Sequence, residues 1–185
     1  MVKLIMLGGP GSGKGTQALK ISKDLDLTII ATGDILRQAI ARDDELGKKA
    51  KEYVEKGELL PDRMMIEFMK NRLIQKDIAK GWVLEGYPRT AFQAEELDFL
   101  LEDLEQKISY AIYLDVREET MIKRSLSRGN IDDQLEVIKK RIELFKQRTS
   151  PILEYYEKKH TLITIKAENT IEEVEKAIFE QTKVI

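Results

Sequence analysis

A glycine-rich stretch near the start of the chain carries the strongest chemical signal in the sequence. Residues 8–16 read G-G-P-G-S-G-K-G-T and directly follow the apolar run Leu4–Leu7, an order that predicts a buried strand, a loop and a helix. Glycines in such a loop let successive backbone N–H groups converge on one anion, and the helix N-terminus adds a partial positive charge. Lys14 adds a full charge. The stretch therefore predicts a cradle for phosphate groups.

The spacing of Gly8, Gly13 and Lys14 matches the P-loop pattern, and a nucleoside triphosphate is the ligand that best fits it. The residues expected to bind it are Gly11, Ser12, Gly13, Lys14, Gly15 and Thr16. The generic pattern has Ser or Thr directly after the lysine as a magnesium ligand, whereas Gly15 stands there in this chain. Because Mg²⁺ keeps several waters and binds substrate phosphates, we expect it to be held without a direct ligand from the loop.

A second candidate segment follows the apolar run Thr28–Ala31. It contains Thr32, Gly33, Asp34 and Arg37. Asp34 can serve magnesium and Arg37 can hold a phosphate. Taken alone, the segment is more typical of a helix N-cap followed by a solvated arginine.

A third candidate segment follows the apolar run at residues 82–84. It places Glu85, Gly86, Pro88 and Arg89 within five residues. A carboxylate, a glycine that permits close backbone approach, a stiff proline and an arginine together favour a loop that faces a ligand over a plain turn.

These segments require a common scaffold, and the apolar runs predict one. Short runs with β-branched residues alternate with longer segments of helical spacing, at Leu4–Leu7, Thr28–Ala31, Trp82–Leu84, Tyr110–Val116 and Leu162–Ile165. That order predicts an α/β fold, with a five-stranded parallel sheet, helices on both faces and ligands at the carboxyl ends of the strands. Helices are predicted over Gln17–Leu27, Asp34–Lys56 and Pro61–Lys80, and a capping box of Thr170 and Glu173 precedes a last helix. Without repeats or linkers, residues 1–185 form one predicted domain.

The overall composition limits the classes of partner that the chain is expected to bind. The 185 residues are 42% hydrophobic and 35% charged, with a net charge of −2 and no cysteine. A near-neutral chain lacks a general electrostatic attraction to nucleic acid or anionic membranes, and no apolar run reaches the ~20 residues of a membrane span. We therefore expect small-molecule partners, no nucleic acid, no membrane, a monomeric state and a cytoplasmic location.

With these motifs in view, the chain resembles the adenylate kinases, within the nucleoside monophosphate (NMP) kinases. The matching segments are GGPGSGKGT (8–16), TGDILR (32–37), GELLPD (57–62), EGYPRTAFQ (85–93), DDQLEVIKKR (132–141) and TSPILEYY (149–156). The resemblance covers nearly the whole chain and implies reversible, Mg²⁺-dependent phosphoryl transfer from ATP to AMP, giving two ADP. The implied fold is a P-loop core with a helical NMP-binding flap, about residues 32–61, and a short lid, about residues 129–133.

The resemblance also implies site residues. Its AMP site would comprise Thr32, Gly33, Arg37, Leu59, Leu60, Gly86, Arg89, Gln93 and Arg141. Its catalytic cations would be Lys14, Arg89, Arg124, Arg128 and Arg141, of which Arg124 and Arg128 would also bind ATP. Asp34 and Glu85 would serve Mg²⁺ through water. Guanidinium groups suit the task because each binds two phosphate oxygens at once, although without the other motifs the last three arginines are more typical of a charged helix face.

The sequence partly indicates which nucleoside monophosphate accepts the phosphoryl group. By resemblance, Thr32, Thr90 and Gln93 favour AMP over pyrimidine monophosphates, and the amide of Gln93 can pair with the edge of adenine. Two alternatives stay open, a kinase for UMP, CMP or another monophosphate and a module that binds ATP and AMP without turnover.

Two departures from the family pattern motivate the second alternative. Most relatives have aspartate where Glu85 stands, and short-lid relatives carry an arginine where this chain has Asn130-Ile131. Arg148, seven residues after Arg141, would lie on a similar helix face and is a conceivable substitute. The lid also lacks the long insertion and the cysteines of zinc-bearing relatives, so no structural metal is expected.

Overall fold

The structure, a computed structural model, describes residues 1–43, 45–56, 58–129 and 133–183. Within these residues, five parallel strands form one sheet in the order β2-β3-β1-β4-β5. The strands are β1 (Val2–Leu7), β2 (Thr28–Ala31), β3 (Gly81–Glu85), β4 (Tyr110–Asp115) and β5 (Leu162–Lys166). The predicted α/β fold and its strands are confirmed.

Helices connect the strands. They are α1 (Lys14–Asp24), α2 (Thr32–Arg42), α3 (Glu45–Glu55), α4 (Asp62–Leu73), α5 (Ala91–Asp103), α6 (Glu118–Leu126), α7 (Leu135–Leu144), α8 (Ser150–Lys158) and α9 (Ile171–Thr182). A 3₁₀ turn (Lys76–Ile78) follows α4, and a π-helical turn (Phe145–Thr149) joins α7 to α8. In the described ranges no helix is both long enough and apolar enough to cross a membrane.

The central strand explains why the core has two halves. Side chains alternate along β1, so Ile5 and Leu7 enter one apolar cluster, with α4, α5 and α8, while Leu4 and Met6 enter the other, with α1, α6 and α9. A strand buried on both faces reads as a continuous apolar run. Since each fully buried aliphatic side chain contributes about 1.5–3 kcal/mol, β1 holds the loop at its carboxyl end on a rigid base.

The helix predicted over residues 34–56 was wrong in one respect, because it is two helices. Asp43 ends α2 with a left-handed backbone, at φ 55°, a conformation that aspartate tolerates better than most residues. The chain then returns along α2, so closely that a Cβ on Gly47 would lie 2.2 Å from the carbonyl oxygen of Ala39. Neither glycine nor proline marks the turn. The other helix predictions ran past the observed ends, at Asp24 for α1 and Leu73 for α4.

Candidate active site

The loop between β1 and α1 has the backbone of an anion cradle. Gly8, Gly11 and Gly13 have φ values of 146°, 74° and 96°, which side chains of L-residues rarely permit. On one side the loop packs against α6, where a Cβ on Gly11 would lie 2.3 Å from the carbonyl oxygen of Met121. A Cβ on Gly13 would meet nothing within 4 Å. The loop is therefore supported from behind and open in front.

Lys14 is the first residue of α1, and its side chain lies inside the cradle. Its Nζ donates to the Gly9 carbonyl oxygen at 2.7 Å. Burial lowers the pKa of Lys14 to about 8, and Glu85 opposes that shift. Three nearby guanidinium groups contribute to the same lowering, those of Arg89, Arg141 and Arg128. Four cationic side chains thus lie close together, and a bound anion would offset their mutual repulsion.

This convergence predicts proton uptake when ATP binds at alkaline pH. Phosphate beside Lys14 favours its charged form and raises its pKa above about 8. At pH 9 the free protein has mostly lost this proton while the complex keeps it, so ATP affinity should fall with rising pH, by up to about tenfold per pH unit.

Titration calorimetry at pH 9 in two buffers of different ionisation enthalpy measures this uptake, which should approach one proton per ATP bound. The variant Lys14→Arg, whose side chain stays charged at this pH, should take up none. Equal enthalpies in both buffers for the wild-type protein would contradict the prediction.

The donor cleft is a cavity of about 350 Å³ in front of the loop. Its lining includes Glu85, Arg124, Arg128 and the six predicted loop residues, Gly11, Ser12, Gly13, Lys14, Gly15 and Thr16. The far wall was not predicted, and it consists of Ala167, Asn169, Ile171 and Val174. Its only signal in the sequence is its place at the carboxyl end of the fifth apolar run.

Arg124 connects that wall to α6. Its guanidinium donates to the carbonyl oxygens of Ala167 at 3.0 Å and Glu168 at 3.4 Å. Arg124 lies in the donor cleft as expected, but the contacts it makes are with backbone. We infer that it also positions the segment after β5.

Arg128 and Arg141 line an inner cleft that also contains Lys14, Glu85 and Arg89. The buried carboxylate of Asp133 accepts from Arg128 at 2.6 and 3.2 Å, and Arg141 Nη1 lies 3.8 Å from it. Since a buried carboxylate needs such partners, Asp133 holds Arg128 at the cleft. Of the predicted lid, residues 130–132, including Asn130, lie outside the described residues.

The acceptor cleft lies on the other side of the inner cleft. All nine residues predicted for the AMP site line it, namely Thr32, Gly33, Arg37, Leu59, Leu60, Gly86, Arg89, Gln93 and Arg141. Leu36, Val54, Glu58 and Met65 complete the lining. Three cations and a group of apolar side chains therefore share one cleft, as a nucleotide with a phosphate and a base requires.

The turn after β3 is shaped to aim Arg89. Gly86 has φ 87°, and a Cβ there would lie 2.3 Å from Thr32 Oγ1. Its carbonyl oxygen accepts from Arg89 Nε at 2.7 Å. Arg89 lines both the acceptor cleft and the inner cleft, so its guanidinium is held where the two meet.

Gln93 is held by partners that sequence reasoning missed. Its Oε1 accepts from the backbone N–H of Arg89 at 2.8 Å, and its Nε2 donates to Asp62 Oδ1 at 2.7 Å. Thr90 caps α5 by accepting from Gln93 N and donates to the same Asp62 oxygen, both at 3.2 Å. Asp62 closes the GELLPD motif, which was the only signal that could have indicated it.

Two candidates are placed away from the expected chemistry. Asp34 pairs with Arg37 at 2.6 Å, its side chain is 66% exposed, and it is absent from the described lining of the donor cleft. Arg148 is exposed in the π-helical turn and is absent from the described lining of the inner cleft. A π turn is wider than an α turn and rotates Arg148 off the face of Arg141.

Comparison with known proteins assigns this arrangement to a family. The family model described as adenylate kinase matches residues 6–161. Adenylate kinase 2 of Synechocystis sp. is 56% identical over 177 residues, which cover 96% of this chain and 98% of that protein. Adenylate kinase of Archaeoglobus fulgidus is 40% identical over an alignment of 208 positions, which covers 96% of this chain and 96% of that protein. The chain therefore belongs to the adenylate kinase family of phosphotransferases.

Proposed function

We propose that the protein reversibly transfers the γ-phosphoryl group of ATP to AMP and yields two ADP. The continuity of the three clefts carries the proposal. Lys14 and Arg128 line both the donor cleft and the inner cleft. Arg89 and Arg141 line both the inner cleft and the acceptor cleft. A donor and an acceptor phosphate would therefore meet among cations.

Phosphoryl transfer asks mainly for alignment and for stabilisation of charge. An oxygen of the AMP phosphate attacks the γ-phosphorus, and the bond to the β–γ bridging oxygen breaks. In this arrangement Lys14 and the loop N–H groups hold the donor phosphates. Arg37 and Arg89 hold the acceptor phosphate, and Arg128 and Arg141 face the group that moves.

The acceptor cleft also suits a purine base. Leu36, Val54, Leu60 and Met65 offer apolar surface for the ring, and Gln93 offers an amide for its edge. We assign residues 32–61 to the NMP-binding flap because most of the lining lies there, on α2, on α3 and just before α4. We assign residues 129–133 to the lid because the segment directly follows Arg128, which lines the inner cleft, and ends at Asp133, whose carboxylate accepts from Arg128.

The donor set fits Mg²⁺ that is bound through ATP. Gly15 offers no side-chain oxygen, and in the described ranges no three His, Cys, Asp or Glu side chains form a metal-binding group. Glu85 lines the donor cleft and the inner cleft, where its carboxylate would hold Mg²⁺ through water. Bound Mg²⁺ would neutralise charge on the β- and γ-phosphates. Asp34 instead would orient Arg37, its ion-pair partner.

A monomeric state and a cytoplasmic location remain proposals based on composition and resemblance.

The test is an acceptor profile. With ATP and Mg²⁺ fixed, product nucleotides are separated after incubation with AMP, UMP, CMP or GMP, and an EDTA-treated sample is the control. We expect kcat/KM for AMP to exceed that for each other acceptor by at least about tenfold. Equal rates with a pyrimidine monophosphate would favour the first alternative. Binding of ATP and AMP without any turnover would establish the second.

A further inference from the structure

The selection of the acceptor base depends on the direction in which the Gln93 amide faces. The edge of adenine presents a donor, the N6 amino group, and an acceptor, N1. The edge of hypoxanthine or guanine presents the reverse, an acceptor at O6 and a donor at N1–H. An amide carries both a donor and an acceptor, so one that can turn over pairs with either base.

Two partners of opposite type hold the amide of Gln93. The backbone N–H of Arg89 can only donate, so it requires Oε1, which it reaches at 2.8 Å. The Asp62 carboxylate can only accept, so it requires Nε2, which lies 2.7 Å from it. Gln93 is 1% exposed, so water cannot readily replace either partner. Both contacts favour the same orientation.

We propose that Asp62 is a positioning residue that selects adenine over hypoxanthine and guanine by fixing the orientation of the Gln93 amide. The proposal rests on the proposed function, in which AMP occupies the acceptor cleft. Among the described residues, the two partners leave one Nε2 hydrogen and one Oε1 lone pair for a base. Thr90 supports the arrangement because it donates to the same Asp62 oxygen at 3.2 Å, which holds the carboxylate of α4 against α5.

A fixed amide rejects the reversed edge. Hypoxanthine would place O6 against Oε1 and N1–H against the amide hydrogens, so two buried polar pairs would be left unmade. Sites built to bind a polar edge discriminate strongly on this ground, and we expect at least about a hundredfold preference for AMP over IMP. IMP is the sharper probe because hypoxanthine lacks the 2-amino group of guanine.

The experiment compares Asp62→Ala with Asp62→Asn. Kd values for AMP and IMP are measured by calorimetry without ATP, and kcat and KM for both acceptors are measured with ATP. In Asp62→Ala the preference for AMP should fall at least about tenfold, through Kd and KM. In Asp62→Asn an amide oxygen still accepts, so the preference should stay within about threefold of wild type.

The two variants control for stability. Both remove the charge of Asp62 from the first turn of α4, so they share any loss of helix-dipole stabilisation. Glu67→Ala, an exposed carboxylate on the same helix, should leave every constant unchanged. An unchanged AMP preference in Asp62→Ala, or an equal loss in Asp62→Ala and Asp62→Asn, overturns the proposal.

A second measurement needs no variant. In the wild-type protein, the Gln93 Nε2 hydrogen that bonds Asp62 should exchange slowly with solvent when followed by nuclear magnetic resonance, and fast exchange of that hydrogen overturns the proposal. Binding without ATP also separates the two proposals. A protein that prefers AMP to IMP in binding but does not phosphorylate it refutes the proposed function and leaves the role of Asp62 standing.

Discussion

Lys14→Met is expected to lower kcat at least about a hundredfold while the protein stays folded. Methionine is close in length to lysine but carries no charge to place on the moving phosphoryl group. Removal of one preorganised donor from a buried site costs about 2.7–4 kcal/mol of transition-state stabilisation, or a factor of about 10²–10³. The coupled assay with ATP, AMP and Mg²⁺ measures the effect.

The stability of this variant should not fall. Burial lowers the pKa of Lys14 from 10.5 to about 8, so below pH 8 the folded protein bears the full cost of a poorly solvated charge, and methionine removes that cost. The thermal midpoint at pH 7 should equal or exceed that of the wild type. Lys20→Met, which removes another α1 lysine at its ion pair with Glu175, is the matched control and should keep its turnover. A Lys14→Met enzyme with more than about a third of wild-type kcat would contradict the interpretation of the loop as a phosphate cradle.

Arg89→Lys is expected to reduce phosphoryl transfer about a hundredfold. The guanidinium of Arg89 donates to the Gly86 carbonyl oxygen through Nε, and its planar fork can bind two phosphate oxygens at once. A lysine ammonium is a single point charge and cannot replace this fork. Single-turnover kinetics with saturating ATP and AMP isolates the step.

The same variant should leave base selection intact. Gln93 is held by the backbone N–H of Arg89, which lysine keeps, so the ratio of AMP to IMP affinities should not change. Circular dichroism should also be unchanged. Arg63→Lys, an exposed arginine on α4, is the control for the loss of a guanidinium. An unaltered rate constant in Arg89→Lys would remove Arg89 from the site.

The cradle and the strands could be predicted because their causes are local. The run Leu4–Leu7 is buried in a parallel sheet, and Gly8, Gly11 and Gly13 take left-handed or similarly restricted φ values within one loop. A strand that is buried on both faces appears in the sequence as consecutive apolar residues, and a loop that needs unusual φ values appears as closely spaced glycines. The break at Asp43 was missed because the packing of α3 on α2 stabilises this turn. The sequence has no glycine or proline at the turn itself that would have predicted it.

Pairing across the fold could not be predicted, because it depends on which distant segments the sheet brings together. Asp62 and Gln93 are 31 residues apart, and Arg124 reaches the carbonyl of Ala167 across 43 residues. The motif residues by themselves indicated phosphate, nucleotide and family. Only the tertiary structure decided that Arg124 donates to the Ala167 carbonyl oxygen and that Gln93 donates to Asp62, because a side chain's partner in a distant segment is set by the packing of whole helices against the sheet.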